Sequence, residues 1–372
     1  MGSDSSHMNL RIPGPTPLPP EVREALSQPM ISHRGSEYKE LHKEVATLAQ
    51  AFFQTRNDVF LYTSSGTGMM EASIVNTLSP GDKVLGVTIG NFGDRYMSVA
   101  KAHGIDVTIL SFPQGQAADP NKVVEAYSMI TDCKAVLITH NETSTGIENP
   151  LRQIVTLIRG ASKSSEPLFL VDSVSGMGNV DLPVDELGLD VVFTSSQKAW
   201  MAPPGIAMVS ISKRAWEANK KATCARYYFD FANMKKFHDQ NQTPETPAIS
   251  NLFGLRAALQ LLHKRGVVET FAYYDELSAY TRKKAMAAGF KHFGDEAHAS
   301  KTVSAFYTPE GLSGEEFRKT LKKNHHIILS GGMGDMKDSI FRIAHMGFVT
   351  KKDIDEVIEK VAVVREELQR SV

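Results

Sequence analysis

The chain has 372 residues, 42% of them hydrophobic, and its 41 lysines and arginines nearly balance 42 aspartates and glutamates, for a net charge of −1. That length supports a large core divided between two domains, and the even charge, with no long basic run, argues against a nucleic-acid or anionic-membrane partner. Two cysteines, Cys133 and Cys224, argue against a disulfide framework, and no apolar stretch is long enough to span a bilayer. With no secretory h-region near the start, a cytoplasmic protein acting on small molecules is expected. Residues 1–8 read as an expression remnant, Met1–His7 standing ahead of a start at Met8.

Residues 9–25 form an amino-terminal arm in which Ile12-Pro13-Gly14-Pro15-Thr16-Pro17 is stiff and extended. A short helix over Pro20–Gln28 follows. Ser32-His33-Arg34-Gly35 precedes a helix at 36–55 with Leu41, Val45, Leu48 and Phe52 on one face. His33 and Arg34 stand open between a functional role and a surface or interface role. Val59–Tyr62 is a strand. It leads into Thr63-Ser64-Ser65-Gly66-Thr67-Gly68 and a helix, and a small-residue turn at a helix start offers free N–H groups to a phosphate, although such turns are also ordinary helix caps. Lys83–Val87 is a strand, followed by Asn91-Phe92-Gly93-Asp94-Arg95. Ile105–Leu110 is a strand, Pro120–Met129 a helix, and Ala135–His140 a buried strand ending in the hydroxyl-rich Asn141-Glu142-Thr143-Ser144-Thr145-Gly146. The alternation of strand and helix predicts a mostly parallel sheet covered on both faces.

Two apolar runs carry the chemistry. Leu168-Phe169-Leu170-Val171 stops at Asp172, and Val191-Val192-Phe193 stops at Thr194-Ser195-Ser196-Gln197-Lys198. Both read as buried strands, and ligands of open α/β sheets sit beyond the carboxyl ends of such strands. Asp172 and Lys198 therefore face one crevice. A lysine for a Schiff base and an acid for a pyridinium nitrogen are what pyridoxal 5′-phosphate needs, although a solvated lysine and a capping aspartate in an ordinary βαβ unit would look alike. Ala202-Pro203-Pro204-Gly205 then makes a rigid turn, and Ala207–Ile211 returns as a strand. Cys224–Asn241 reads as irregular and aromatic-rich. The two Thr-Pro steps within Gln242–Ser250 cannot lie inside a helix. Asn251–Arg265 is an amphipathic helix. Beyond it come a helix (267–288), a strand (302–307), a helix (313–323), a strand (326–329) and a final helix (351–369). Arg342 sits in the apolar run Phe341–Ala344, which needs a partner for the guanidinium, either a substrate carboxylate or an internal acid.

The stretches VDSVSGMG (171–178), LGLD (187–190) with Asp185, and SSQKAWMAPPG (195–205) resemble the class V aminotransferases of fold type I, in particular the alanine/serine–glyoxylate (serine–pyruvate) group, and the likeness runs from Pro13 to the end of the chain. The resemblance implies an α/β fold, with a large domain (26–250) built on a mostly parallel seven-stranded sheet sandwiched by helices and a smaller α+β carboxyl-terminal domain (251–372). The implied reaction is ping-pong transfer of an amino group from alanine or serine to glyoxylate or pyruvate. It implies Lys198 and Asp172 as the catalytic pair. It implies Ser65, Gly66 and Thr67 as a phosphate cradle, Phe92 as a ring-stacking aromatic where relatives often have Trp, and Thr143, Val174 and Gln197 as further cofactor contacts. Gln197 and Ser196 would anchor the phosphate and the lysine loop, and His140 and Glu142 would orient theirs. Gly14 and Arg342 would meet the substrate, and Thr246 would reach across a homodimer to the neighbouring phosphate. Aspartate, ureidoglycine or pyridoxamine remain alternative donors, with Arg34 among the candidate extra cations for an acidic one. A cysteine desulfurase or selenocysteine lyase is disfavoured because both cysteines precede residue 225. A nicotinamide-binding module is disfavoured for want of a G-x-G-x-x-G turn.

Overall fold

A computed structural model describes residues 8–162 and 166–370; most of the expected remnant, residues 1–7, lies outside the described residues. The strands in chain order are β1 (Asn9–Arg11), β2 (Val59–Ser64), β3 (Lys83–Thr88), β4 (Asp106–Ser111), β5 (Ala135–Thr139), β6 (Asn141–Glu142), β7 (Ile147–Glu148), β8 (Leu168–Asp172), β9 (Val191–Ser195), β10 (Gly205–Ile211), β11 (Val303–Tyr307), β12 (Ile327–Gly331) and β13 (Ile340–Ala344). Seven of them form one sheet in the order β2-β10-β9-β8-β5-β3-β4. β10 runs antiparallel to both of its neighbours, and the pairs from β9 through β4 are parallel.

The unbroken apolar runs follow from burial of both faces of this sheet. Val136, Ile138, Phe169, Val171 and Val192 point into one core, while Ala135, Leu137, Leu170, Val191 and Phe193 alternate with them into the other. The Ile249–Arg265 helix buries Leu252, Leu255, Leu259 and Leu262 in the first core, together with Phe52 and Trp200. A separate core around Phe306, Phe341, Ile343, Ile354 and Val357 lies under a four-stranded sheet ordered β1-β12-β13-β11.

Three features differ from the sequence reading. The arm is not only a stiff connector: Asn9–Arg11 pairs in parallel with Ile327–Leu329 as an edge strand of the small sheet. Its Arg11 donates to the Asn9 side chain at 2.6 Å and to the Phe348 carbonyl at 3.3 Å. Within Cys224–Asn241, expected to be irregular, Phe231–His238 is a helix. Asp230 caps it by accepting from the Asn233 N–H at 3.0 Å, and Phe231 and Met234 are its buried face. The helix Leu151–Ala161, with Leu151, Ile154, Val155 and Ile158 buried at helical spacing, supplies a cover that the sequence reading did not mark.

Candidate active site

β8 and β9 lie side by side with Asp172 in register with Phe193, so Asp172 and the loop that carries Lys198 emerge at the same edge of the sheet. The turn after β9 is built by its own residues. Ser196 Oγ donates to the Pro203 carbonyl and accepts from the Ile206 N–H, and the Ala202 N–H closes on the Ser196 carbonyl at 3.1 Å. Ser196 thus anchors the lysine loop and does not line the cavity. Met201 adopts a left-handed conformation (φ 55°), and its N–H bonds the Lys198 carbonyl. Trp200, fully buried, stacks on Phe53 and meets Phe52 edge-on, while its Nε1 donates to Thr194 Oγ1 at 3.0 Å. These contacts fix the backbone on both sides of Lys198.

The amino-terminal arm crosses over this turn. Thr16 donates its N–H to the Gln197 carbonyl at 3.0 Å and its hydroxyl to the Lys198 carbonyl at 2.9 Å. Lys198 Nζ donates to the Pro13 carbonyl. A side chain at Gly14 (φ +126°) would place its Cβ 2.8 Å from Lys198 Nζ, so only glycine fits there.

A cavity of about 280 Å³ opens beside Lys198. Ser65, Gly66, Thr67, Phe92, Thr143, Asp172, Val174, Gln197 and Lys198 all line it, so nine positions singled out in the sequence meet in one space. Met70, Arg95, Asn141 and Ser175, which the sequence reading did not single out as site residues, line it too. Of these, Arg95 follows Phe92 at an i, i+3 helical spacing, a signal available in the sequence. Asn141 donates to Ser175 and Thr302 hydroxyls at 2.7 and 2.9 Å, and so ties the loop after β5 to the segment before β11. Gly14 flanks the lysine without lining the cavity, and neither Arg342 nor Thr246 lines it.

One end of the cavity is the start of the Gly66–Thr77 helix. Ser65 is its N-cap and accepts from the Gly68 N–H at 3.3 Å, leaving the first N–H groups without intrahelical partners. Gly66 is required by close packing, since a Cβ there would stand 2.5 Å from Val174 Cγ2. Phe92 is held from behind: Glu142, fully buried, accepts from the Phe92 and Gly93 N–H groups at 3.0 and 3.1 Å, and its other oxygen accepts from the Ser144 hydroxyl at 2.6 Å. Burial raises the Glu142 pKa and these donors oppose the rise. His140 contacts Ser173 Oγ at 3.0 Å behind the cavity.

The charges are set by burial. Asp172 accepts from the Val174 N–H at 2.9 Å and from Thr139 Oγ1 at 3.4 Å. Desolvation lifts it to about 6, the Val174 hydrogen bond and Lys198 pulling the other way. Desolvation lowers Lys198 to about 8 against the attraction of Asp172, with Arg342 and Arg95 adding to the fall. An amine whose pKa is drawn close to physiological pH, beside a buried carboxylate, can carry a carbonyl compound and move protons. Arg342, on β13 and buried, donates from Nε to the Gly331 carbonyl at 2.7 Å and from Nη1 to the Thr143 carbonyl at 2.6 Å. Its guanidinium is thereby fixed with Nη2 left free among the described residues. Among the described residues no acid forms an ion pair with it; desolvation brings it to about 10.

Arg34 does not face the cavity. It donates to Gln242 Oε1, the Thr243 carbonyl and the Pro244 carbonyl at 3.1, 2.7 and 2.8 Å, and so clamps the turn before Thr246. Thr243 is buried and bonds the Glu245 carbonyl, whereas Thr246 is exposed.

These residues fit pyridoxal phosphate: an amine, a carboxylate opposite, an aromatic ring fixed from behind, and a helix start with open N–H groups. Comparison with known proteins agrees. The Aminotransferase class-V family matches residues 9–356. A soluble hydrogenase 42 kDa subunit of Anabaena cylindrica is 38% identical over 96% of this chain and 93% of its own length. The L-aspartate–glyoxylate aminotransferase of Paracoccus denitrificans is 34% identical over 91% of this chain and 86% of its own. The crystal structure of an alanine–glyoxylate aminotransferase from Nostoc superposes with a TM-score of 0.91 at 27% identity, covering 98% of this chain and 97% of that one. With a family match across nearly its whole length and a cavity furnished for this cofactor, the chain belongs to the class V aminotransferases and is a pyridoxal-phosphate-dependent transaminase.

Proposed function

We propose that the protein moves the amino group of a small amino acid, alanine or serine, to a 2-oxo acid such as glyoxylate or pyruvate, in two half-reactions at Lys198. The observation that carries this reading is the Lys198–Asp172 pair beside one compact cavity, with Arg342 fixed by two carbonyls nearby. The bound cofactor supplies a conjugated ring that takes up electron density released at the substrate Cα. Ser65, Gly66 and Thr67 would hold its phosphate through hydroxyls and N–H groups, with Gln197 as a further contact. Phe92 would meet its ring, and Val174 and Thr143 would be further cofactor contacts. Asp172 would keep the ring nitrogen protonated. Lys198 Nζ takes the proton from the substrate Cα and, as the acid formed, gives it back. The free donors of Arg342 hold the substrate carboxylate, and Gly14 leaves room for both substrate and lysine.

Glyoxylate is the acceptor named for both aminotransferase relatives, and this supports it here. A second reading, aspartate as donor, is favoured by the Paracoccus relative. A desulfurase-type reaction would need a cysteine at the cavity; Cys133 and Cys224 are buried elsewhere. Exposed Thr246, on a turn clamped by Arg34 and outside its own cavity, supports a homodimer in which it serves the partner's site.

The test is titration of the cofactor-loaded protein with single amino acids while following its visible absorbance. Alanine or serine should bleach the band and glyoxylate should restore it. Bleaching by aspartate alone would select the second reading, and a band that persists through every amino acid would overturn both. Lys198→Ala should abolish the cycle.

A further inference from the structure

Arg95 has no role in the reaction just described, yet it lines the same cavity. It lies on the Asn91–Ala102 helix, on the face that also presents Phe92. Its guanidinium carbon stands 5.0 Å from the centroid of the Phe92 ring, and its Nη1 donates to Thr67 Oγ1 at 3.3 Å. That is its only hydrogen bond among the described residues, and no carboxylate pairs with it there. The residue is exposed, so most of its five donors are unspent.

The charge balance of the cavity gives this arginine a task. The cofactor's phosphate brings close to two negative charges. The start of the Gly66–Thr77 helix offers roughly half a positive charge through its dipole. Lys198 and Arg95 are the cations that line the cavity, and Lys198 is committed to the carbonyl end of the cofactor. Arg342 is fixed by Gly331 and Thr143 and does not line this space. A cation is therefore needed at the phosphate end, and Arg95 is already bonded to Thr67, the last residue of the Ser65-Gly66-Thr67 turn.

We propose that Arg95 is a further phosphate-binding residue, its unspent guanidinium donors beside Thr67 completing the cradle. The inference rests on the reading of Ser65, Gly66 and Thr67 as the phosphate cradle. One helix then carries both the aromatic that meets the cofactor ring and the cation that meets its phosphate, so ring and phosphate are placed by a single rigid element.

The test compares two ligands. The full-length protein is stripped of cofactor and titrated with pyridoxal phosphate and with pyridoxal, which lacks the phosphate, following quenching of tryptophan emission, Trp200 being two residues from Lys198 and Trp216 the second emitter. Wild type should bind the phosphorylated compound far more tightly. Arg95→Ala should weaken pyridoxal phosphate by roughly tenfold to a hundredfold, the range for losing hydrogen bonds to a charged group, while pyridoxal affinity stays unchanged. Arg95→Lys should fall between the two. Equal losses for both ligands would overturn the proposal and assign Arg95 to support of the Phe92 ring. Unchanged affinity for both, with a raised KM for aspartate but not for alanine, would overturn it in favour of substrate recognition. If wild type showed no preference for the phosphorylated compound, the cradle itself would fail, an outcome distinct from failure at Arg95.

Discussion

Burial lifts the Asp172 carboxyl from an ordinary 3.8 to about 6, although Val174 N–H and Lys198 both favour its charged form. The sign for stability follows directly. Below about 3.8 both folded and unfolded chains hold the proton and the group is neutral to stability. Between 3.8 and 6 the unfolded chain gives it up first, so stability falls, and above about 6 the whole penalty, on the order of 3 kcal/mol, is in place. Lys198, lowered to about 8, carries the mirror penalty, complete below about 8 and relieved as pH rises towards its unfolded value. The cofactor-free site is thus kept in a strained charge state that a bound ligand can relieve. Asp172→Asn should therefore raise the melting temperature of the cofactor-free protein near about pH 7.5 and raise it only about half as much near about pH 5, while transamination is lost. Equal melting shifts at both pH values would show that the carboxylate is not penalised by burial.

At the scale of elements, the loop after β5 ties two parts of the site together. Through Glu142 it holds the start of the helix that bears Phe92, and through the Thr143 carbonyl it holds Arg342. Glu142→Gln would replace one accepting oxygen by an NH₂ that faces N–H or O–H donors. The expected result is a loss of about 2 kcal/mol in denaturant unfolding, with weaker cofactor binding and a raised KM for the amino acid together. A change confined to stability would separate this loop from the site. Much of this arrangement was legible beforehand, because the strands that end at Thr139, Asp172 and Ser195 are unbroken apolar runs bounded by small polar residues. Other parts were not. The Phe231–His238 helix is short, flanked by aromatics, and starts from a cap at Asp230 rather than from a long periodic face. Arg95 is one charged residue among many until Thr67 and Phe92 are seen beside it, and Asn9–Arg11 becomes a strand only because β12 is there to pair with it.

At the scale of the whole molecule, Thr246 is exposed on a turn that Arg34 and Thr243 hold rigid within their own chain. A rigid, exposed turn suits a contact with a second copy. Sedimentation should show a dimer. Subunits bearing Thr246→Ala should regain cofactor affinity when mixed with Lys198→Ala subunits, since each mixed dimer then has one site with an intact lysine and a partner threonine. No gain on mixing would place the function of Thr246 within its own subunit or nowhere.

The pairing of Asn9–Arg11 with Ile327–Leu329 also sets an order of events during synthesis. The arm leaves the ribosome ahead of both sheets' other strands, yet its seat is a strand made more than 300 residues later. Until that strand exists, Pro13, Gly14 and Thr16 can meet the Gln197–Lys198 turn but have no anchor on their amino-terminal side, even if the seven-stranded sheet has already formed. Such a distant contact is among the slowest to close. A nascent chain can therefore build the floor of its active site early, while the roof gains its outer anchor only with the carboxyl-terminal sheet, so a truncated chain would keep its lysine under a strap left loose at one end.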